Sequence, residues 1–196
     1  QSKSQHGSEL TTLIKENFKQ FWPIPVFGFI FYFLLGVFPI LMSYSNTTGV
    51  ASTISSMLTN SLSFIMVVHL ILPIIASNAV FKYLHSSNSV TVIHSMPFSR
   101  VKLFNSSMIS GWLMSILPMM LTGLLLLLLA KGTYLEGTTE NIYTASNCLV
   151  WILDSTVIIA FVYSISVFAG IISGNNIIHI LLSFFLNFVA SILFAI

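Results

Sequence analysis

The sequence predicts an all-α, polytopic membrane protein, in which five membrane-spanning helices follow an amphipathic helix at the membrane interface. Of its 196 residues, 56% are hydrophobic and only 6% are charged, whereas about 25% of the residues of a soluble domain are charged. Mean hydropathy is +0.95, and several apolar stretches are long enough to cross the hydrocarbon core of a bilayer. Because so little charge is available to cover a water-facing surface, the bilayer must be the solvent for most of the chain.

Residues 1–22 are predicted to form an N-terminal segment that contains the interfacial helix. Residues 1–8 are polar, and we expect them to be disordered. From Glu9 to Trp22, apolar residues recur at helical spacing while Lys and Glu side chains occupy the opposite face. This pattern indicates a helix lying in the membrane interface, with Trp22 at the depth of the headgroups. The segment lacks the pattern of a cleavable signal peptide, so we expect the first apolar run to be retained.

Residues 23–196 are predicted to form a single transmembrane domain. The predicted spans cover residues 24–42, 61–81, 106–130, 148–172 and 177–196, and a loop of residues 82–105 joins the second span to the third. The fifth span is still apolar at residue 196, so we expect a sixth span in the full protein.

The distribution of positive charge predicts the orientation of these spans. Six of the seven Lys and Arg residues fall in the N-terminal segment or in the loop of residues 82–105: Lys3, Lys15, Lys19, Lys82, Arg100 and Lys102. Only Lys131 falls in a loop on the other side. Since short cytoplasmic segments carry the excess of Lys and Arg, we expect the N-terminus and this loop to be cytoplasmic.

The stretch Val90–Ser107 is the only interior segment that concentrates charge and polarity. Its first half carries apolar side chains, Pro97 interrupts any helix, and helical spacing resumes near Ser99. Two interpretations follow from these residues alone. The segment either binds a cytoplasmic partner, with Met96 and Phe98 as apolar contacts and Arg100 paired to a carboxylate, or it only fixes the topology.

A family resemblance favours the first interpretation. The string I-H-S-M-P-F-S-R-V-K-L-F-N-S-S-M-I-S-G, from Ile93 to Gly111, resembles the segment after the second span in type-2 ABC-exporter permeases of Gram-positive bacteria. In that family the segment is a coupling helix, which inserts into a groove on a separate ATP-binding subunit. The resemblance implies that the coupling residues here are His94, Ser95, Met96, Pro97, Phe98, Arg100 and Lys102.

The same resemblance implies the partners, the cofactors and the location. The partners would be an ABC ATP-binding subunit, a second permease subunit that is identical or homologous, and membrane lipids, with no nucleic acid. The chain lacks the phosphate-binding motif G-x-x-x-x-G-K-[ST], so it cannot hydrolyse ATP alone and we predict no catalytic residue. We expect no cofactor or metal in this chain; ATP and Mg²⁺ would be bound by the partner, in the plasma membrane.

Three polar residues within the predicted spans are candidates for a transport pathway. Asp154 marks either an outer vestibule or a hydrated interface, since intramembrane carboxylates are costly. His69 either lines a pathway, where it would titrate near neutral pH, or is a neutral side chain bonded to a neighbouring helix. Asn187 has the same two interpretations. The single cysteine, Cys148, excludes an intrachain disulfide and is expected to be a small packing residue.

Two other classes of function stay open at this point. The first is an ion-coupled secondary transporter or channel that uses His69 and Asp154. The second is a non-transport membrane scaffold or sensor, whose loop binds a cytosolic protein without ATPase motifs.

Overall fold

All regular secondary structure in the described part of the chain is helical. The structure, a computed structural model, describes residues 2–42, 64–85, 99–129 and 144–195, and these contain no β-strand. The elements are α1 (Ser2–Phe21), α2 (Pro23–Tyr32), a π-helical segment (Phe33–Val37), α3 (Phe38–Met42), α4 (Phe64–Phe81), a 3₁₀ turn (Lys82–His85), α5 (Arg100–Leu129), α6 (Ala145–Ile172) and α7 (Asn176–Ala195).

Within the described residues, five helical stretches are long and apolar enough to cross a membrane, which confirms the predicted all-α, multi-pass membrane fold. They are Pro23–Met42, Phe64–His85, Arg100–Leu129, Ala145–Ile172 and Asn176–Leu193. The third is longer than predicted, because no residue between Arg100 and Ser106 interrupts the helix. Its 30 residues exceed the roughly 20 that a bilayer core requires, so the helix is long enough to cross the hydrocarbon without its basic first turn.

Helix α1 is also longer than predicted. It begins at Ser2, so the expectation of disorder is wrong for residues 2–8. This stretch contains no proline, so nothing prevents the amphipathic helix of residues 9–21 from continuing toward the N-terminus. Between Leu10 and Phe21 the apolar side chains are half-buried, whereas Lys15, Glu16 and Lys19 are exposed. This division of polar and apolar faces is the one that the sequence predicted.

The first span contains a π-helical segment that sequence periodicity did not predict. It covers Phe33–Val37, and at its end the backbone N–H of Phe38 donates to the carbonyl of Phe33, five residues earlier. Gly36 and Val37 within it are buried. The segment begins directly after Tyr32, which has 0% of its surface exposed.

Most hydroxyl groups inside the spans are satisfied by their own helix. Ser115 donates to the carbonyl of Gly111 at 2.9 Å, Thr122 to that of Pro118 at 3.0 Å, and Ser166 to that of Val162 at 2.8 Å. Hydrocarbon offers no hydrogen-bond partner to a hydroxyl. A bond to the carbonyl three or four residues earlier therefore satisfies a serine or threonine side chain within a spanning helix.

The chain divides into two compact units. Unit 1 comprises Gln1–Ile24, Leu72–Ser115 and Ala160–Ile196, and unit 2 comprises Pro25–Ile71 and Ile116–Ile159. The core of unit 1 contains Val80, Phe81, Met114, Tyr163 and Val167. Unit 2 buries Tyr32, His69, Trp151 and the thiol-bearing Cys148, and the burial of Cys148 agrees with its predicted packing role.

Gly111 permits a close helix approach in the core of unit 1. A Cβ at this position would meet the Tyr163 hydroxyl and would lie 2.9 Å from Cγ2 of Val80. The Tyr163 hydroxyl itself donates to the carbonyl of Met108 at 2.9 Å. Helices α5 and α6 therefore approach each other at a position where only glycine fits.

This contact predicts a non-additive pair of substitutions. Gly111→Ala is expected to cost about 2 kcal/mol through overpacking, and Tyr163→Phe about 1 kcal/mol through its lost hydrogen bond. The double variant should be less destabilised than the sum, because removing the hydroxyl removes the nearest clash. Thermal unfolding midpoints of the three variants measure this coupling, and simple additivity would contradict the contact.

Candidate functional site

The predicted coupling residues are only partly within the described chain. His94, Ser95, Met96, Pro97 and Phe98 lie outside the described residues. Arg100 and Lys102 lie in the first turn of α5, where Arg100 is exposed and Lys102 is half-buried.

Ser99 caps this helix. Its hydroxyl accepts from the backbone N–H of Lys102 at 3.3 Å, and its carbonyl accepts from the N–H of Leu103 at 3.2 Å. Serine is among the preferred residues at this position because its oxygen pairs a backbone donor that has no partner within the helix. The predicted helix start near Ser99 is thus confirmed.

An aromatic cluster in unit 1 holds both ends of the segment that joins α4 to α5. The Phe81 ring lies 6.2 Å from the Tyr83 ring and 5.4 Å from the Phe104 ring, measured between centroids. Phe18 and Phe21 of α1 pack against the same core. We call these five residues, Phe18, Phe21, Phe81, Tyr83 and Phe104, the aromatic clasp.

The clasp joins three elements that the sequence analysis treated separately. Phe81 ends α4, Phe104 lies in the second turn of α5, and the two remaining phenylalanines belong to the amphipathic helix. A further bond supports the same contact, since Asn17 Nδ2 donates to Ser110 Oγ at 2.9 Å. The clasp therefore packs the described residues on either side of residues 86–98 against the amphipathic helix.

A second polar centre in unit 1 surrounds His179, whose side chain is fully buried. Its Nε2 lies 2.9 Å from the carbonyl oxygen of Ser166 and 3.4 Å from Ser77 Oγ, and its Nδ1 lies 3.3 Å from Asn78 Nδ2. A carbonyl only accepts and an amide NH₂ only donates, so Nε2 carries the proton and the ring is neutral. We call these four residues the His179 hub.

The hub connects three spans, because Ser77 and Asn78 belong to α4, Ser166 to α6 and His179 to α7. Asn78 Nδ2 also donates to the carbonyl of Asn176 at 3.2 Å. His85 lies beside the hub, with its ring centroid 5.5 Å from that of His179 and its Nε2 3.5 Å from Ser173 Oγ. In hydrocarbon, such interhelical hydrogen bonds fix the register of the helices.

Asn187 continues the polar face of α7. Its Nδ2 donates to the carbonyl of Ser183 at 2.8 Å and to Ser166 Oγ at 3.5 Å. The second bond joins α7 to α6, as expected for an amide bonded to a neighbouring helix. Asn187 is thus connected to the His179 hub through Ser166.

His69 lies in a different environment, in unit 2. Its Nδ1 lies 2.8 Å from the carbonyl of Ile65 in its own helix, so the expected bond to a neighbouring helix is not the one that forms. The ring is edge-on to Tyr32 at 5.3 Å and to Trp151 at 6.0 Å, both between centroids. Trp151 and Ser155 are one helical turn apart on α6. We call Tyr32, His69, Trp151 and Ser155 the His69 cluster.

Asp154 is exposed, although its neighbour Ser155 is buried. The carboxylate therefore lies on the surface of the chain and is not enclosed among its helices, and the choice between an outer vestibule and a hydrated interface stays a prediction. The three predicted polar candidates therefore occupy three separate environments. His69 belongs to the His69 cluster, Asn187 adjoins the His179 hub, and Asp154 lies on the surface.

Sequence analysis did not single out His179 and therefore missed the His179 hub. A signal was present in α7, where a polar residue recurs every fourth position from His179 through Ser183 and Asn187 to Ser191. Residues four apart share one face of a helix. In an otherwise apolar span, such a stripe indicates a face directed at other helices, and the first three of these residues are indeed buried.

Comparison of the chain with protein-family models, with curated proteins and with solved structures returned no match.

Proposed function

We propose that this chain is the transmembrane permease subunit of an ATP-driven exporter of the type-2 ABC class. The observation that carries the proposal is the aromatic clasp, which packs the end of α4 and the start of α5, the described helices on either side of the H-S-M-P-F-S-R stretch, against the amphipathic helix. A subunit that is moved by a partner needs such an element, because a force on a loosely tethered loop would not reach the spans.

The charge near the segment fits an acidic groove on a cytosolic partner. Lys82 and Arg100 are exposed at the two described ends of the segment. A guanidinium pairs with a carboxylate through two parallel hydrogen bonds, which fixes orientation as well as affinity. We place this end of the chain in the cytoplasm, where the excess of Lys and Arg belongs.

The proposed mechanism is a relay of rigid elements. ATP-driven closure of two ATP-binding subunits displaces the segment, and the clasp passes the displacement to α4, α5 and α1. The His179 hub then couples α4 to α6 and α7, because its bonds cross between these helices. A second permease subunit would complete the pathway at the interface between the two.

The class of function is tested by purifying the chain with its native partners in mild detergent. The proposal expects a stoichiometric partner that carries the phosphate-binding motif G-x-x-x-x-G-K-[ST], together with transport that stops when ATP is depleted. Transport that follows an ion gradient and survives ATP depletion would favour a secondary transporter. A stoichiometric partner without ATPase motifs would favour a scaffold or sensor.

The coupling segment is tested by charge reversal. Arg100→Glu combined with Pro97→Ala is expected to abolish ATP-coupled transport and complex formation, because like charges across the groove repel and the orienting pair is lost. Lys131→Glu, the same reversal in a loop predicted to lie on the other side, is the matched control. Complex formation that survives the first variant would remove the coupling assignment.

A further inference from the structure

The His69 cluster contains four buried polar atoms that lack partners. They are the Tyr32 hydroxyl, His69 Nε2, Trp151 Nε1 and Ser155 Oγ, and none bonds to any other residue that the structure describes. A buried polar atom without a hydrogen bond costs about 1–3 kcal/mol, and such atoms are rare in native proteins. Three of them belong to His69 and to the two rings that contact it, and the fourth lies one helical turn from Trp151, so their occurrence together calls for a physical cause.

The lack of partners is not a general property of hydroxyls in these spans. Thr156, the next residue after Ser155, donates to the carbonyl of Ile152 at 2.7 Å. Tyr163 is as deeply buried as Tyr32, yet its hydroxyl donates to the carbonyl of Met108 at 2.9 Å. The His69 cluster therefore departs from the pattern of its own neighbours.

The backbone of the first span points independently to the same place. The π-helical segment Phe33–Val37 begins directly after Tyr32. A π turn is less favourable than an α turn, and single π turns within α-helices occur frequently at functional sites. The extra residue in the turn changes the direction of the side chains on either side of it, and one of those side chains is Tyr32.

The hydrogen-bonding capacity of the cluster defines the ligand that it accepts. The Nδ1 of His69 is held 2.8 Å from a carbonyl oxygen, so Nδ1 carries the proton and Nε2 is an acceptor. The indole N–H of Trp151 only donates, whereas the hydroxyls of Tyr32 and Ser155 do both. A carboxylate has only acceptors and would repel the lone pair of His69 Nε2. An ammonium group has only donors and would leave the Trp151 N–H without a partner.

From this inventory we propose that the His69 cluster binds a neutral hydroxyl group inside unit 2. A hydroxyl both donates and accepts, so it can pair His69 Nε2 and Trp151 Nε1 at once. Two sources supply this chemistry within a membrane, namely water and the hydroxyl end of a neutral, single-chain amphiphile. The proposal does not depend on ATP coupling and holds for any of the three function classes.

Radiolytic hydroxyl labelling of the intact chain tests this proposal. The chain is placed in nanodiscs of dioleoylphosphatidylcholine, a lipid without a hydroxyl group, so that water is the only source. Trp151 and Met119 are both 0% exposed, and both belong to unit 2. Each labelling rate is divided by the rate for the same residue in the unfolded chain.

We expect the normalised rate of Trp151 to exceed that of Met119 several-fold, because a radical formed from bound water oxidises the side chain beside it. Equal protection of the two residues would overturn the proposal without any substitution. In His69→Phe, which removes the acceptor, the rate of Trp151 should fall to that of Met119 while Trp112 is unchanged. An unchanged Trp151 rate in a folded His69→Phe protein would also overturn it.

Added amphiphiles distinguish the two sources. If hexadecanol lowers the Trp151 rate and hexadecane does not, the hydroxyl end of the amphiphile enters the cluster. If neither lowers it, water is the resident ligand, and the hydroxyl site stands in both cases. If the two compounds lower the rate equally, apolar filling explains the effect and the recognition of a hydroxyl is refuted.

Discussion

Replacing Gly170 with alanine is expected to destabilise the protein by about 3 kcal/mol, through overpacking and a lost hydrogen bond. A Cβ at this position would lie 2.7 Å from Cε1 and 2.8 Å from Nε2 of His179. The His179 ring is bonded to Ser166 and Asn78, so it cannot retreat without losing both bonds. Alanine gains about 1 kcal/mol in helix propensity, which is less than the clash costs.

The chain offers a matched control and an internal probe for this measurement. Gly174 is four residues further on, and a Cβ there meets nothing within 4 Å, so Gly174→Ala should leave the unfolding midpoint nearly unchanged. Cys148 is the only cysteine and is buried, so a thiol-reactive dye reports thermal unfolding directly. If Gly170→Ala and Gly174→Ala unfolded at the same temperature, the packing around His179 would be refuted.

Truncating Phe81 in the aromatic clasp is expected to have the second large effect. Its ring is 0% exposed and lies between the rings of Tyr83 and Phe104. Phe→Ala in a packed core costs about 3–5 kcal/mol, so Phe81→Ala should lower the unfolding midpoint strongly. Under the proposed function, ATP-driven transport below that midpoint should also fall, because the clasp no longer passes a displacement from α4 to α5 and α1.

Phe64 is the matched control for Phe81. It lies at the other end of the same helix and is 79% exposed, so Phe64→Ala removes the same ring from a position outside the core. Its unfolding midpoint and transport rate should stay close to those of the wild type. A Phe81→Ala protein with full transport and normal stability would show that the clasp does not hold the segment.

The sequence was sufficient to predict the architecture of the chain because hydropathy is a dominant physical term in a membrane protein. An apolar run of about 20 residues has few alternatives to a spanning helix, since lipid leaves every backbone group to be paired within the chain. The helix start at Ser99 was also predictable, because Pro97 interrupts any preceding helix and Ser99, two residues later, is a preferred capping residue.

The polar centres were less predictable, because they depend on which helix faces meet. Spacing places His179 and Asn187 on one face of α7, but it does not say that Asn78 and Ser166 complete the hub. His69 illustrates the same limit, since a bond to its own helix and two aromatic neighbours cannot be read from its position in an apolar run. The π-helical segment cannot be recognised from sequence periodicity, because one inserted residue shifts the helical repeat of the side chains but leaves the repeat on either side intact.

The π-helical segment has a consequence for how the first span tolerates insertions and deletions. Deleting one residue from an α-helix rotates everything beyond it by about 100°, the angle of one residue at 3.6 per turn. Within Phe33–Val37 the turn already holds a surplus residue, so deleting one there would restore an α turn and keep Ile40 on its buried face. Related chains should therefore gain or lose a single residue here more readily than elsewhere in the span. Chains that keep the extra residue of the π turn should also keep a tyrosine at the position of Tyr32.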